Sequence, residues 1–215
     1  LEDGMKQIEA ARAGKGELPA AEAAYAYGLL QLGDRDPASR DKLYAQAQAL
    51  LLVLMEKYPN LLDFNGESVY GALGGLYRRQ GRADQAIVAY ERARHVTPQN
   101  TYPINNLALL HWTQGNQAKA REYFRQGAEL GRQRINMRRA DYWSWFDLIT
   151  AELALGSSPE ETVRLLDQVV DLVPGTEPLK KFLVGLETLQ RAPNPPALVD
   201  QSIARVRAKI AESRA

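Results

Sequence analysis

Apolar residues recur at intervals of three and four along most of the chain, which is the spacing of one face of an α-helix. The segments from Tyr70 to Tyr77 and from Ala86 to Ala93 are clear examples. Gly81 stands between them, where a helix end favours glycine because glycine adopts the left-handed conformation at no steric cost. The pattern predicts amphipathic helices that are joined in pairs by short turns.

The helical pattern repeats with a fixed period. When residues 67–100 are placed over residues 101–134, a shift of 34 residues, the apolar and small positions coincide. The coincident pairs include Leu73 with Leu107, Leu76 with Leu110, Gly74 with Ala108, Gly81 with Gly115, Ala86 with Ala120, and Tyr90 with Phe124. Small residues at these places let two helix backbones approach closely, and the aromatic residue fills the space between helix pairs.

The two units carry a recognisable signature. In the first unit it reads Tyr70, Leu73, Gly74, Tyr77, Gly81, Ala86, Tyr90, Ala93 and Pro98. In the second it reads Ile104, Leu107, Ala108, His111, Gly115, Ala120, Phe124 and Gly127, with Arg132 in place of the final proline. This signature resembles the tetratricopeptide repeat, a 34-residue module of two helices. The resemblance implies an all-α, right-handed superhelical solenoid of antiparallel helix pairs.

The match weakens on both sides of these units, as expected for the terminal units of a solenoid, which face water on one side. We expect a single tetratricopeptide-like domain of about five helix pairs over residues 1–215. Its parts are degenerate helices at 1–66, repeats at 67–100 and 101–134, a degenerate repeat at 142–174, and a C-terminal helix pair or cap at 177–213.

The resemblance also implies that the first helix of each pair lines a concave groove that holds a partner. Carried onto this chain, the groove residues are Gly71, Gly75, Arg78, Arg79, Tyr102, Asn105, Asn106, Leu109, Trp112, Trp143 and Phe146. Trp112 follows the packing position His111, so we expect its ring to be exposed or to line the groove. Gly71 and Gly75 fit two readings, a close-lying ligand backbone or packing of an aromatic ring from the next unit.

The expected roles follow from side-chain chemistry. Tyr102 and Trp112 are predicted apolar anchors, because Trp and Tyr carry much of the energy of protein interfaces. Asn105 and Asn106 are predicted to hydrogen-bond a partner backbone. Arg78 and Arg79 are predicted to complement an acidic group. The sequence thus predicts a non-catalytic scaffold or adaptor that binds a partner peptide or helix.

One known use of such repeats is disfavoured. Co-chaperones of this family hold a C-terminal carboxylate with Lys, Asn and Arg at five groove positions. Here those positions hold Gly71, Gly75, Asn106, Trp143 and Asp147, so only Asn106 matches. We therefore do not expect a receptor for chaperone tails.

Two alternative functions stay open. The first is binding of an anionic ligand or RNA by the basic segment from Arg125 to Arg139, because guanidinium groups bind phosphate well. The candidate anion patch consists of Arg132, Arg134, Arg138 and Arg139. A formal net charge of +1 gives little steering toward nucleic acid, so that partner is disfavoured. The second alternative is an architectural or self-association module of a larger protein, in which the apolar helix from Leu179 to Leu189 pairs with another copy.

Composition argues against chemistry in this chain. It contains no cysteine and only two histidines, which excludes disulfides and thiol catalysis and leaves too few ligands for a histidine-rich metal centre. We find no nucleophile, phosphate-loop or metal-loop motif. No enzyme activity, catalytic residue, metal or cofactor is therefore predicted.

Compartment is weakly constrained. The longest apolar run, Ala49 to Met55, is much shorter than the roughly 20 residues that span a bilayer. No membrane insertion is thus expected in this fragment. Cytoplasm is slightly favoured over periplasm or a membrane-tethered fragment. Residue 1 is Leu, so we expect a fragment or a processed chain.

Overall fold

The computed structural model describes residues 2–12, 18–138 and 140–213. Within these residues the regular structure consists of eleven α-helices and one isolated β-bridge between Leu62 and Ser68. The predicted all-α, helical-repeat fold class is confirmed. The chain divides into two compact units, Leu1–Pro98 and Gln99–Ala215. That the whole chain forms a single domain stays a prediction.

The first unit contains two helix hairpins and an additional N-terminal helix. Its helices are α1 (Glu2–Arg12), α2 (Pro19–Arg35), α3 (Arg40–Lys57), α4 (Val69–Arg79) and α5 (Ala83–Val96). Helix α2 pairs with α3, and α4 pairs with α5. The ring of Tyr44 on α3 packs on Gly33 of α2, where a Cβ would lie 2.7 Å from the ring. Burial and a hydrogen bond to Asp34 raise the pKa of Tyr44 to about 12.

The second unit contains six helices. They are α6 (Thr101–Thr113), α7 (Gln117–Met137), α8 (Tyr142–Leu155), α9 (Pro159–Leu172), α10 (Glu177–Gln190) and α11 (Val199–Glu212). Helix α7 packs between α6 and α8, α9 pairs with α8, and α10 pairs with α11. Helix α10 also contacts α6 and α8, which places it beside the helices that carry the candidate groove residues.

Local sequence explains where the helices begin and end. Ser68, Asn100 and Asp141 cap α4, α6 and α8, because each side chain accepts a hydrogen bond from a backbone N–H in the first turn. Gly81 and Gly115 follow the first helix of each repeat with φ values of +71° and +75°. The predicted turn glycines therefore lie in the left-handed region, where a side chain would be strained.

The aromatic residues of the repeat signature are buried, but Tyr90 lies against Gly74 of its own helix pair, whereas the sequence predicts that it fills the space between pairs. Tyr90 is completely buried against Gly74, and a Cβ on Gly74 would lie 2.7 Å from the tyrosine ring. Phe124, the equivalent aromatic residue in the second repeat, is also buried. His111 is buried with its ring stacked on Tyr123, the ring centroids being 5.6 Å apart. His111 thus serves packing, the structural role expected of it.

Candidate functional site

Four predicted groove residues lie in the first unit, on α4. Gly71 and Gly75 are buried, and Arg78 is half-buried. The guanidinium of Arg79 lies 3.2 Å from the carboxylate of Asp34 on α2. Part of the positive charge predicted for a ligand is therefore already compensated within the unit, and a ligand role for these residues stays a prediction.

The predicted residues of α6 share one helix face but are not open to solvent. Asn105, Leu109 and Trp112 are four and seven positions apart, and all three are buried. Trp112 is only 5% exposed, so its ring is not open to solvent, and that it lines the groove stays a prediction. Its ring packs edge-on against Phe124, with centroids 5.9 Å apart, because the two helices of this repeat approach closely.

Some polar groups of α6 have a hydrogen-bond partner in the chain, and others have none among the described residues. Tyr102 is half-buried, and its backbone carbonyl accepts a hydrogen bond of 2.8 Å from Asn106 Nδ2, so Asn106 bonds its own helix. Asn105 Oδ1 and Trp112 Nε1 are buried and have no hydrogen-bond partner among the described residues. Buried polar atoms in this condition are uncommon, since each costs free energy relative to its hydrated state.

The predicted residues of α8 contact α10. The ring of Phe146 stacks on Phe182, with centroids 4.3 Å apart and an angle of 6° between the rings. Lys181 Nζ lies 5.7 Å from the ring centroid of Trp143. A Cβ at Gly185 would lie 3.9 Å from Thr150 Oγ1. Trp143, Phe146 and Thr150 of α8 therefore face a helix of the same chain.

We call the contacting side chains of α8, Trp143, Phe146 and Thr150, the α8 face. The sequence predicts a C-terminal helix pair or cap over 177–213 and does not place α10 on this face. The missed residues are Lys181, Phe182 and Gly185. A signal was available, because Leu179, Phe182, Leu186 and Leu189 fall on one side of α10 and all four are buried. The pattern identifies a buried stripe but not the surface that buries it.

Two of the four arginines of the predicted anion patch form ion pairs within the chain. Arg134 donates to Asp141 and Ser144 at 2.8 and 2.9 Å, and to the carbonyl of Gln99 at 2.8 Å. Arg132 pairs with Glu152, a carboxylate that is only 1% exposed. These two guanidinium groups link α7 to α8, and each already pairs with a carboxylate of the chain.

Fewer arginines of the basic segment are exposed without an ion pair described above than the sequence suggests. Arg125 and Arg138 are exposed, and Arg139 lies outside the described residues. The anionic-ligand alternative stays a prediction with fewer available groups than the sequence suggests.

The Arg134 contacts also set the charge state of Asp141. Burial by itself raises the pKa of a carboxyl group, but hydrogen bonds from Arg134 and Ser144 outweigh it and lower the pKa of Asp141 below its usual value. Asp141 is therefore a charged N-cap of α8, and it fixes the start of the helix that carries the α8 face.

A metal site and a membrane span are two other features that the described residues could form. Residues 2–12, 18–138 and 140–213 hold no group of three or more histidine or acidic side chains suited to a metal ion. Across the same residues, none of the helices combines the length and the apolar character needed to cross a bilayer.

Comparisons with solved structures give several likenesses at low identity. A crystal structure of BtubC (BKLC) from P. vanneervenii is 14% identical with a TM-score of 0.49, and covers 99% of this chain and 86% of its own. A kinesin light chain with nearly identical repeats from Podosopora anserina is 18% identical with a TM-score of 0.46, covering 93% and 99%. A crystal structure of MamA is 12% identical with a TM-score of 0.45, covering 85% and 96%. At these TM-scores the likenesses carry no argument about function.

Sequence comparison identifies the family. No curated protein gives a significant match over this chain. Two family descriptions of the tetratricopeptide repeat match it, one at residues 67–94 and one at residues 104–136. Repeats of this family generally mediate protein–protein interactions and are generally non-catalytic. The chain thus contains two tetratricopeptide repeats, at residues 67–94 and 104–136.

Proposed function

We propose that this protein is a non-catalytic scaffold that binds an amphipathic helix of a partner protein along α6 and the α8 face. One observation carries the proposal: this surface already holds an amphipathic helix, α10, through the stacked rings of Phe146 and Phe182. A surface shaped to pack one amphipathic helix has the geometry that helix-in-groove recognition requires. The proposal rests on the second unit alone.

Chemical detail on the two helices supports a helical partner. Trp143 is 42% exposed beside α10, so an aromatic anchor is reachable from solvent. It belongs to a cluster with Tyr142 and Phe146, with ring centroids 5.0 to 5.9 Å apart. On α6, Asn105 Oδ1 and Trp112 Nε1 would gain hydrogen bonds from a ligand group that reached them.

The test is affinity capture from a lysate of the source organism with three versions of the chain. These are the wild type, Trp143→Ala, and Phe64→Ala as a matched control. Phe64 is 80% exposed, precedes α4 and lies in the first unit, so it removes an exposed aromatic ring elsewhere. We expect a protein that wild type and Phe64→Ala recover equally and Trp143→Ala recovers about tenfold less, because such anchors contribute more than 1.4 kcal/mol.

Capture alone does not support the proposal. The recovered protein is purified, and its helical segment is titrated against the same three chains by calorimetry. Equal affinity for wild type and Trp143→Ala, with both folded by circular dichroism, would place binding on another surface.

A further inference from the structure

Helix α10 covers part of the surface formed by α6 and the α8 face. Its buried stripe, Leu179, Phe182, Leu186 and Leu189, faces inward, whereas Val184 is 49% exposed. Three residues of α10, Lys181, Phe182 and Gly185, meet the α8 face within little more than one helical turn. Helix α10 thus occupies the place that the proposed function assigns to a partner helix.

We propose that α10 is a resident, displaceable occupant of this surface, and that the partner is an amphipathic helix with the chemistry of α10. That helix carries an aromatic residue opposite Phe146, a cation one position before it, and a small residue three positions after it. This inference rests on the proposed function, since it names the chemistry of the partner and the contact that the partner must replace.

Several features of α10 favour displacement. Gly185 lowers helix propensity in the middle of α10, although the distance of 3.9 Å to Thr150 leaves room for a methyl group. Packing therefore does not demand glycine here. In addition, the N-terminal residue Thr176 makes no side-chain capping hydrogen bond. A helix with these features is less stable by itself than its apolar stripe suggests.

The attachment of the α10–α11 hairpin also favours release. Residues 173–176 connect α9 to α10 without helical structure and include Pro174 and Gly175, whose φ is +78°. Helix α11 is held to α9 by the ion pairs Arg205–Asp167 and Lys209–Asp171, at 2.9 and 2.8 Å. Both acidic partners are more than half exposed, so the pairs contribute little and weaken with salt.

The test measures binding of a fluorescein-labelled synthetic peptide of residues 176–191 to the full chain by anisotropy. In wild type, the tethered α10 competes at a high effective concentration, so we expect weak binding. In the Phe182→Ala chain the tethered helix loses its stacking on Phe146 while the peptide keeps it. We expect this chain to bind the peptide at least about tenfold more tightly than wild type.

Two matched controls define the specificity of that result. A peptide that itself carries Phe182→Ala should bind the Phe182→Ala chain about tenfold more weakly than the wild-type peptide does. A Gly185→Ala chain should bind the peptide about fivefold more weakly than wild type, because alanine strengthens the tethered helix. A folded Phe182→Ala chain that binds the peptide no better than wild type would overturn the inference.

A second measurement covers the case in which Phe182→Ala does not fold. Native-state hydrogen exchange of the wild-type chain should show α10 amides exchanging at least about tenfold faster than those of α8, through a local opening. Equal protection of α10 and α8 would mean that α10 leaves only on global unfolding, which also overturns the inference.

If the peptide binds as expected but no captured protein depends on Trp143, the proposed function fails and the displaceable helix stands. If a captured helix binds while the peptide does not, the partner binds beside a fixed α10.

Discussion

Two helical glycines of this protein differ in whether the neighbouring helix leaves space for a side chain. Gly74 faces the ring of Tyr90 at a distance that leaves no space for a Cβ. Gly185 faces Thr150 at an ordinary van der Waals distance. The contact with Tyr90 requires the first glycine, whereas no contact requires the second.

The same substitution should therefore have opposite effects at these two positions. Gly74→Ala should destabilise the chain by about 1–3 kcal/mol, because the ring of Tyr90 must move and the gain in helix propensity does not compensate. Gly185→Ala should stabilise α10 by about 1 kcal/mol, because the methyl group fits and alanine favours helix. Urea unfolding of both variants beside wild type measures the two changes. A stabilised Gly74→Ala chain would show that the close contact with Tyr90 is not limiting.

At the scale of helices, the connection between α7 and α8 depends on two arginines. Arg134 joins the end of α7 to the start of α8 through Asp141 and Ser144. Arg132 reaches Glu152 in the last turn of α8. The buried carboxylate needs this partner, because an unpaired charge in the interior is strongly unfavourable.

Removing that partner should be costly. Arg132→Ala should lower the free energy of unfolding by about 3 kcal/mol, since it leaves Glu152 buried and unpaired. Arg138→Ala, in an exposed neighbouring position, should change it by less than about 0.5 kcal/mol. The double variant Arg132→Ala/Glu152→Gln should recover much of the loss, because no charge remains buried. Urea unfolding distinguishes these outcomes, and similar losses for Arg132→Ala and Arg138→Ala would contradict a structural role for Arg132.

The same helices show how far sequence reasoning reaches. Helical pairing, the turn glycines and the close approach of two helices at Gly74 could be predicted, because each depends on residues close in sequence and on a repeating pattern. The burial of Trp112 and the pairing of Arg132 could not. Both depend on which side chains of adjacent helices meet, and a helical pattern gives the face of a residue but not its neighbour.

At the scale of the whole molecule, the placement of α10 is the feature that sequence reasoning missed. The apolar stripe from Leu179 to Leu189 is equally consistent with an end cap, a dimer contact or a helix laid on α6 and α8. These possibilities bury similar apolar area, so composition and periodicity do not separate them. The structure places α10 beside α6, α8 and α11, with Phe182 of the stripe stacked on Phe146, and the candidate site changes from an open groove to a surface with a resident helix.

Cross-linking tests this placement most directly, because the chain has no native cysteine. In the double variant Thr150→Cys/Gly185→Cys, the sulfur at residue 150 replaces Oγ1, which lies 3.9 Å from the Cβ position of residue 185. That separation is within reach of a disulfide after a small adjustment. The control is Thr150→Cys/Val184→Cys, because Val184 is 49% exposed.

After mild oxidation at low protein concentration, free-thiol titration and peptide mass spectrometry give the fraction that is cross-linked. The account predicts a nearly complete intramolecular disulfide for the Thr150→Cys/Gly185→Cys chain and little for the control. Free thiols in both variants, or equal cross-linking of the two, would contradict the placement of α10 on the α8 face.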